Sequence, residues 1–154
     1  MKNKLFLLLV VVVSFVACKK NVNTPGNSSV NIISETSVPA SVLATFNTSF
    51  SSATEREWQH NSSDDFSCQF NMENERHEAH FDDNGHEKSH DVVCVNAAVP
   101  ANVLNAFRTA FPKDNVYEWS FTSDKMWKAH FMRGGVKWEV TITADGVITK
   151  TEHE

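Results

Sequence analysis

The chain has 154 residues, with 14 basic and 19 acidic side chains and a formal charge of −5. Residues 1–17 hold two of the lysines and no acid, so the remainder carries −7. An acidic remainder speaks against nucleic acid as a partner. It contains neither a glycine-rich phosphate loop nor a G-x-S-x-G frame, and no carboxylate pair stands out, so the chain reads as a non-enzyme without a cofactor.

Lys2 and Lys4 precede an apolar run over 5–13, and Ser14-Phe15-Val16-Ala17-Cys18 follows. A short basic start, an apolar stretch too short to span a bilayer and small residues at the break describe an export signal over 1–17. Phe15-Val16-Ala17-Cys18 resembles the lipobox of bacterial lipoproteins, with Phe15 where leucine is usual. The resemblance implies cleavage before Cys18 and acylation of its thiol. That would anchor the protein to a bacterial membrane, in the periplasmic part of the cell envelope. Residues 18–31 are poor in apolar side chains and contain Pro25-Gly26. They read as a flexible tether, with Lys19 and Lys20 beside the membrane.

From there the chain is one module written twice, a first repeat over 32–95 and a second over 96–154. Residues 38–87 align with 99–148 at a constant shift of sixty-one (Val99 against Val38) and no gap. Each copy opens with a helix. Val42, Phe46 and Phe50 lie four apart, as do Val103, Phe107 and Phe111, giving one apolar stripe that must cover a sheet. Pro39 and Pro100 fit a helix start. Four extended runs follow, in the second copy near 116–122, 126–133, 136–143 and 146–152. The third shows the signal best: Val136, Trp138, Val140 and Ile142 alternate with polar residues, a strand with one buried and one wet face. Gly134-Gly135 and Asp145-Gly146 mark its turns. The first copy keeps Trp58, Phe66 and Phe70 but has His77 for Trp138, Ala79 for Val140 and Glu73-Asn74 for Gly134-Gly135. Its sheet is expected to pack less well. The fold class predicted is α+β, two tandem units of one helix plus a four-stranded antiparallel sheet.

The pattern V-P-x-x-V-x-x-x-F-x-x-x-F, a tryptophan strand, then K-W-E-V-x-I-x-x-D-G-x-I resembles the PepSY-like domains of small exported bacterial proteins. These are similar in structure to the tandem-repeat β-lactamase inhibitory protein. The resemblance covers about 32–154. It implies helices on one face of an eight-stranded sheet continuous across the units, and an open sheet face that grips a protein. No contact residue of that inhibitor transfers to a position here.

Two groups of residues invite a chemical reading. His77, His80, His86 and His90 lie close in sequence, with Asp82, Asp83 and Glu87 near. They offer an alternative function as a metal-binding envelope protein. On a strand, however, His77 and His80 point to opposite faces, and His86 and His90 lie beyond the turn, so no metal site is assigned. With Cys18 given to lipid, Cys68 and Cys94 remain. An oxidising compartment permits a disulfide between them, and buried free thiols are the alternative. The candidate binding face is the polar side of the second sheet: Lys128, His130 and Met132 on one strand, Lys137 and Glu139 on the next. The matching face of the first copy carries Ser67, Gln69, Asn71, Arg76, Glu78 and His80, and is likewise read as solvated. Tyr117, Trp119 and Met126 are further anchors if their register turns them outward. The expected partner is an exported protein or peptide, bound for inhibition or regulation.

Overall fold

The computed structural model describes residues 30–62 and 64–154. The signal segment, the lipobox with Cys18 and nearly all of the tether lie outside the described residues.

Both predicted helices form: α1 (Ala40–Ser49) and α2 (Ala101–Ala110). Pro39 and Pro100 occupy the N-caps, where a missing N–H leaves no hydrogen bond unmade. Each helix buries a valine and a phenylalanine four apart, Val42 with Phe46 and Val103 with Phe107. A short strand β1 (Ile32–Ile33) and a 3-10 turn (Glu35–Ser37) precede α1. The hairpin strands are β2 (Thr54–Ser62), β3 (Asp65–Met72), β4 (Glu75–Phe81) and β5 (Glu87–Cys94), then β6 (Val116–Phe121), β7 (Met126–Arg133), β8 (Val136–Thr143) and β9 (Ile148–His153).

The strands make two antiparallel sheets, β1-β2-β3-β4-β5 and β6-β7-β8-β9, and each helix packs on one face of its own sheet. The first core gathers Val42, Phe46, Trp58, Phe70 and Phe81; the second gathers Val103, Phe107, Trp119, Phe131 and Ile142. The fold is therefore α+β, as the repeat predicts. Two details differ. β1 adds a fifth strand to the first sheet, pairing Ile32 with Gln59 and Ile33 with Trp58. And the expected eight-stranded sheet is not continuous. The Val116 carbonyl, at the start of β6, accepts a hydrogen bond from the Gln69 side chain on β3 at 2.8 Å. The units thus join through side chains on a sheet face, without a shared ladder.

The repeat is exact enough to reuse its ties. Ser41 Oγ donates to Asp83 O at 3.0 Å, and at the matched positions Asn102 Nδ2 donates to Ala144 O. Both bonds clamp the β-turn to the first turn of the helix. Gly85 and Gly146 sit in those turns at φ +88 and +83. A Cβ on either would stand 2.6 Å from Ser41 O or 2.8 Å from Asn102 O, so both the conformation and the space demand glycine. At the β3–β4 turn the copies part. Gly134 and Gly135 take φ +60 and +77, while Glu73 and Asn74 adopt the same left-handed region at φ +52 and +64 with side chains attached.

The disulfide between Cys68 and Cys94 is not formed; both thiols are free and buried. Cys68 lies opposite Ala79 and points into the first core, whereas Cys94 lies opposite Arg76 and packs into the second. Alternation along β4 puts Ala79 and Arg76 on opposite faces, so the two thiols are separated by the sheet itself. Burial pushes both thiols up from their ordinary range.

Candidate binding face

The strand register decides which polar residues are free. In the first sheet Gln69 pairs with Glu78, Asn71 with Arg76 and Ser67 with His80, all on the face away from α1. This face is not solvated as the sequence suggested. Ser67, Gln69, Asn71, Arg76 and Glu78 are all buried, Gln69 at 2% exposure, and the second unit lies over Gln69 and Asn71. Gln69 Nε2 reaches Val116 O and Asn115 Oδ1, at 2.8 and 3.2 Å. Asn71 closes a two-bond ring with the main chain of Val99: its Nδ2 donates to Val99 O at 2.8 Å, and its Oδ1 accepts from Val99 N at 3.2 Å. Arg108 on α2 grips Glu57 with two bonds, at 3.0 and 2.7 Å. Of that face only His80 stays half-exposed.

Arg76 is the extreme case. Its Nη1 donates to Glu55 O at 2.7 Å and to Asn71 Oδ1 at 3.3 Å, while Nε and Nη2 have no hydrogen-bond partner. Burial lowers the guanidinium to about 10, against the opposing charges of Glu57 and Glu78. Glu55 takes a left-handed φ of +48 at the β2 irregularity, and its carbonyl meets this cation.

The second sheet shows the same face uncovered. Lys128 pairs with Thr141, His130 with Glu139 and Met132 with Lys137, so the five residues picked from sequence do share one face. All are half-buried except Lys137, which is exposed. Glu139 sits at the centre: its Oε2 accepts from His130 Nε2 at 2.8 Å, and its Oε1 lies 2.6 Å from Lys128 Nζ. Burial pushes the Glu139 carboxyl up, but hydrogen bonds from Lys128 and His130 and their charges outweigh it and hold the group below its ordinary range. The hydrogen bond to Glu139 holds Lys128 above its own. His130 Nδ1 is buried with no hydrogen-bond partner; Glu118 Oε2 is 3.9 Å away.

A cleft of about 370 Å³ opens beside this cluster, lined by Tyr117, Glu118, His130, Lys137, Trp138 and Glu139, with Glu152 and Glu154 at its rim. Tyr117 stacks beside His130, with centroids 6.4 Å apart, and burial followed by Glu118 pushes its hydroxyl up. Of the other proposed anchors, Met126 is half-buried and Trp119 is core, at 2% exposure. Sequence reading missed Glu118, Glu152 and Glu154. Their signal was alternation along β6 and β9, but the register that brings Glu118 beside His130 depends on a bulge between Val116 and Glu118, and Glu152 and Glu154 arrive through the pairing of β9 with β8. Among the described residues no serine, threonine or cysteine is hydrogen-bonded to His130, whose bonded partner is Glu139.

The histidines of the first unit are dispersed, with one exception. His80 faces Asp65 at 3.5 Å and Glu78 at 3.8 Å, and His86 bonds Asp82 at 2.8 Å. His90 folds back across the β4–β5 hairpin to His77: Nδ1 of His77 and Nε2 of His90 are 3.0 Å apart. Since His77 Nε2 must donate to Met72 O, His90 supplies the proton between the rings. His90 is exposed overall, but partial desolvation on its inner side, then the charge of His77, holds it below its ordinary range. Among the described residues no group of three or more His, Cys, Asp or Glu is arranged to hold a metal ion.

No family model matches the chain, and no curated protein matches it. Solved structures resemble it at low identity. A DUF2874 family protein from Bacteroides uniformis ATCC 8492 is 18% identical, covering 75% of this chain and 88% of its own, with TM-score 0.34. A second DUF2874 family protein, from Bacteroides ovatus ATCC 8483, is 17% identical over 75% and 86%, also at 0.34. A BLIP-like protein from Bacteroides fragilis NCTC 9343 is 14% identical over 75% and 86%, at 0.35. Among the described residues no helix is long and apolar enough to cross a membrane.

Proposed function

We propose that this protein is an exported, non-catalytic envelope lipoprotein that holds an extended segment of another envelope protein or peptide against the open face of its second sheet. One observation carries the reading. At matched positions the first sheet uses this same face to grip main chain: Gln69 and Asn71 bond the backbone at Val116 and Val99. The second sheet presents His130 and Met132 in those places, together with Lys128, Lys137 and Glu139, and among the described residues no second unit lies over them. The likeness of the sequence pattern to PepSY-like domains points the same way, toward inhibition or regulation of an exported enzyme. A lipid on Cys18 and the tether over 18–31 would hold the face near its partners and raise their effective concentration.

The test has two parts. Mass spectrometry of the mature N-terminus should find an acylated Cys18; an unmodified Cys18 defeats the anchor. Cross-linking in envelopes should then capture a protein that is lost on combining Lys128→Glu, Lys137→Glu and His130→Ala with the fold intact. Capture that is unchanged by this variant removes the face from consideration. A second reading rests on the His77–His90 pair, whose facing nitrogens offer two imidazole ligands to a copper or zinc ion. Calorimetric titration with copper(I) or zinc, repeated on His90→Asn, decides it.

A further inference from the structure

We propose that the free edge of β9 pairs with the same edge of a second copy of this chain, forming an antiparallel two-fold dimer centred on Thr151. This goes beyond the proposed function and does not depend on it, since it uses the strand edge and leaves the sheet face open.

The sheet edges are managed unequally. In the first sheet, part of β2 is covered by β1. β5 is irregular at both ends of its pairing with β4, and its last residues enter the second core. Such bulges and coverings blunt an edge. β9 stands at the edge of its sheet, is exposed from Thr149 onward, and runs in unbroken register against β8 from Lys150 to His153. A regular exposed edge is a template for another strand.

The register of that pairing follows from the ladder already made. Glu154 N donates to Lys137 O at 3.1 Å, and Glu152 and Lys150 lie opposite Glu139 and Thr141. In an antiparallel ladder main-chain groups alternate in direction. Lys150, Glu152 and Glu154 therefore turn theirs toward β8, while Thr151 and His153 turn theirs outward. A two-fold axis at Thr151 sets its N–H and C=O against the same groups of the second copy, in two reciprocal bonds. His153 then falls opposite the second copy's Thr149.

Charge selects the same register. Lys150 and Glu152 share one face of β9 and already meet at 2.7 Å. About an axis at Thr151, Lys150 of each copy stands opposite Glu152 of the other, in the close non-hydrogen-bonded position where opposite charges attract. A slip by two residues would bring like charges together: Lys150 onto Lys150 in one direction, Glu152 onto Glu152 in the other. The strand is thus complementary to its own reverse, as an isologous contact requires.

Sedimentation equilibrium on the full chain tests this. The wild type should show a concentration-dependent monomer–dimer equilibrium. Thr151→Pro should be monomeric with an unchanged circular dichroism spectrum, because its N–H faces outward and an edge strand accepts proline there. Lys150→Glu should weaken the dimer about tenfold or more, and K150E/E152K should restore it, which separates register from misfolding. Mixing K150C chains with E152C chains under oxidation should give a cross-linked dimer beyond what either gives alone. A wild type that stays monomeric up to millimolar concentration overturns the proposal. So does a dimer that survives both Thr151→Pro and Lys150→Glu, or cross-linking equal in the mixed and separate samples.

Discussion

The polar faces of the two sheets hold the same register positions and opposite environments. Gln69, Asn71, Arg76 and Glu78 are buried; their counterparts His130, Met132, Lys137 and Glu139 are half-buried or exposed. The difference follows from what each position must do. A buried polar atom needs a partner, and an amide serves as donor and acceptor at once. Asn71 therefore closes its ring with Val99 using one side chain. A histidine or methionine in that place would leave main-chain groups unpaired. The more open face holds a Lys128–Glu139–His130 cluster whose opposite charges answer one another, while His130 Nδ1 stays buried without a hydrogen-bond partner. One duplicated surface has become an internal joint in one copy and a free face in the other.

The comparison can be broken first at the cores, where both copies should behave alike. Phe46 and Phe107 are fully buried beneath their sheets, each with edge-on aromatic neighbours. Truncating either to alanine should cost about 3–5 kcal/mol, read by urea denaturation. A loss confined to one copy would mean that the two cores do not carry equal weight. Next come the turn glycines. Gly85→Ala and Gly146→Ala each force a Cβ against a helix carbonyl at positive φ, and each should cost about 2–3 kcal/mol.

The faces themselves give the sharpest contrast. Gln69→Ala strips the Val116 carbonyl of its partner inside the joint and should cost about 1–3 kcal/mol. His130→Ala, at the matched site, should change stability by less than about 0.5 kcal/mol. Equal losses from the two would show that the second face is also buried in the protein as it folds. Acid offers a subtler contrast, since the first copy has the His77–His90 pair where the second has Trp138 and Thr151. His90 is depressed below its unfolded value of 6.5. Its contribution is therefore complete above that pH and is lost as pH falls through the lower folded value. Protection factors in β4 and β5, taken against the intrinsic exchange rate at each pH, should fall on acidification below about pH 6.5, and His90→Asn should abolish that dependence; an equal response in β8 and β9 would refute it.

Much of this was legible in the sequence because it rests on short-range physics. The four-residue spacing of Phe46 and Phe50, the alternation from Val136 to Ile142 and the glycine turns each act within one element. The candidate face was legible for the same reason: Lys128, His130 and Met132 alternate on one strand, and the two-residue turn at Gly134-Gly135 fixes their register against Lys137 and Glu139. What lay beyond reach depends on docking. Nothing local to Gln69 or Asn71 says that a second unit will lie over them. The return of His90 to His77 passes through irregular pairing at both ends of the β4–β5 hairpin, which shifts partners by an amount that alternation alone does not specify. The pairing of Cys68 and Cys94 is not legible locally, because it turns on opposite sides of one sheet, a long-range fact.

A small effect of opposite sign, a gain, is expected at the turn where Glu73-Asn74 stands for Gly134-Gly135. Gly134-Gly135 reaches its left-handed backbone without steric cost, whereas Glu73 and Asn74 carry side chains into the same region. Asparagine tolerates it through its short polar group; glutamate has no such compensation. Glu73 is exposed, with no packing to set against the strain. Glu73→Gly should therefore relieve strain in the folded state while freeing the unfolded chain, two terms of opposite sign. The left-handed penalty for a longer side chain is about 1–2 kcal/mol, and the entropy of an added glycine returns about 0.5–1 kcal/mol of it. The net gain expected is about 0.5–1 kcal/mol, measured as a higher urea midpoint at constant slope. Gly134→Glu should reverse the sign by a similar amount. If Glu73→Gly destabilises instead, the first copy's turn is held by contacts of the Glu73 side chain, and the two turns are not equivalent.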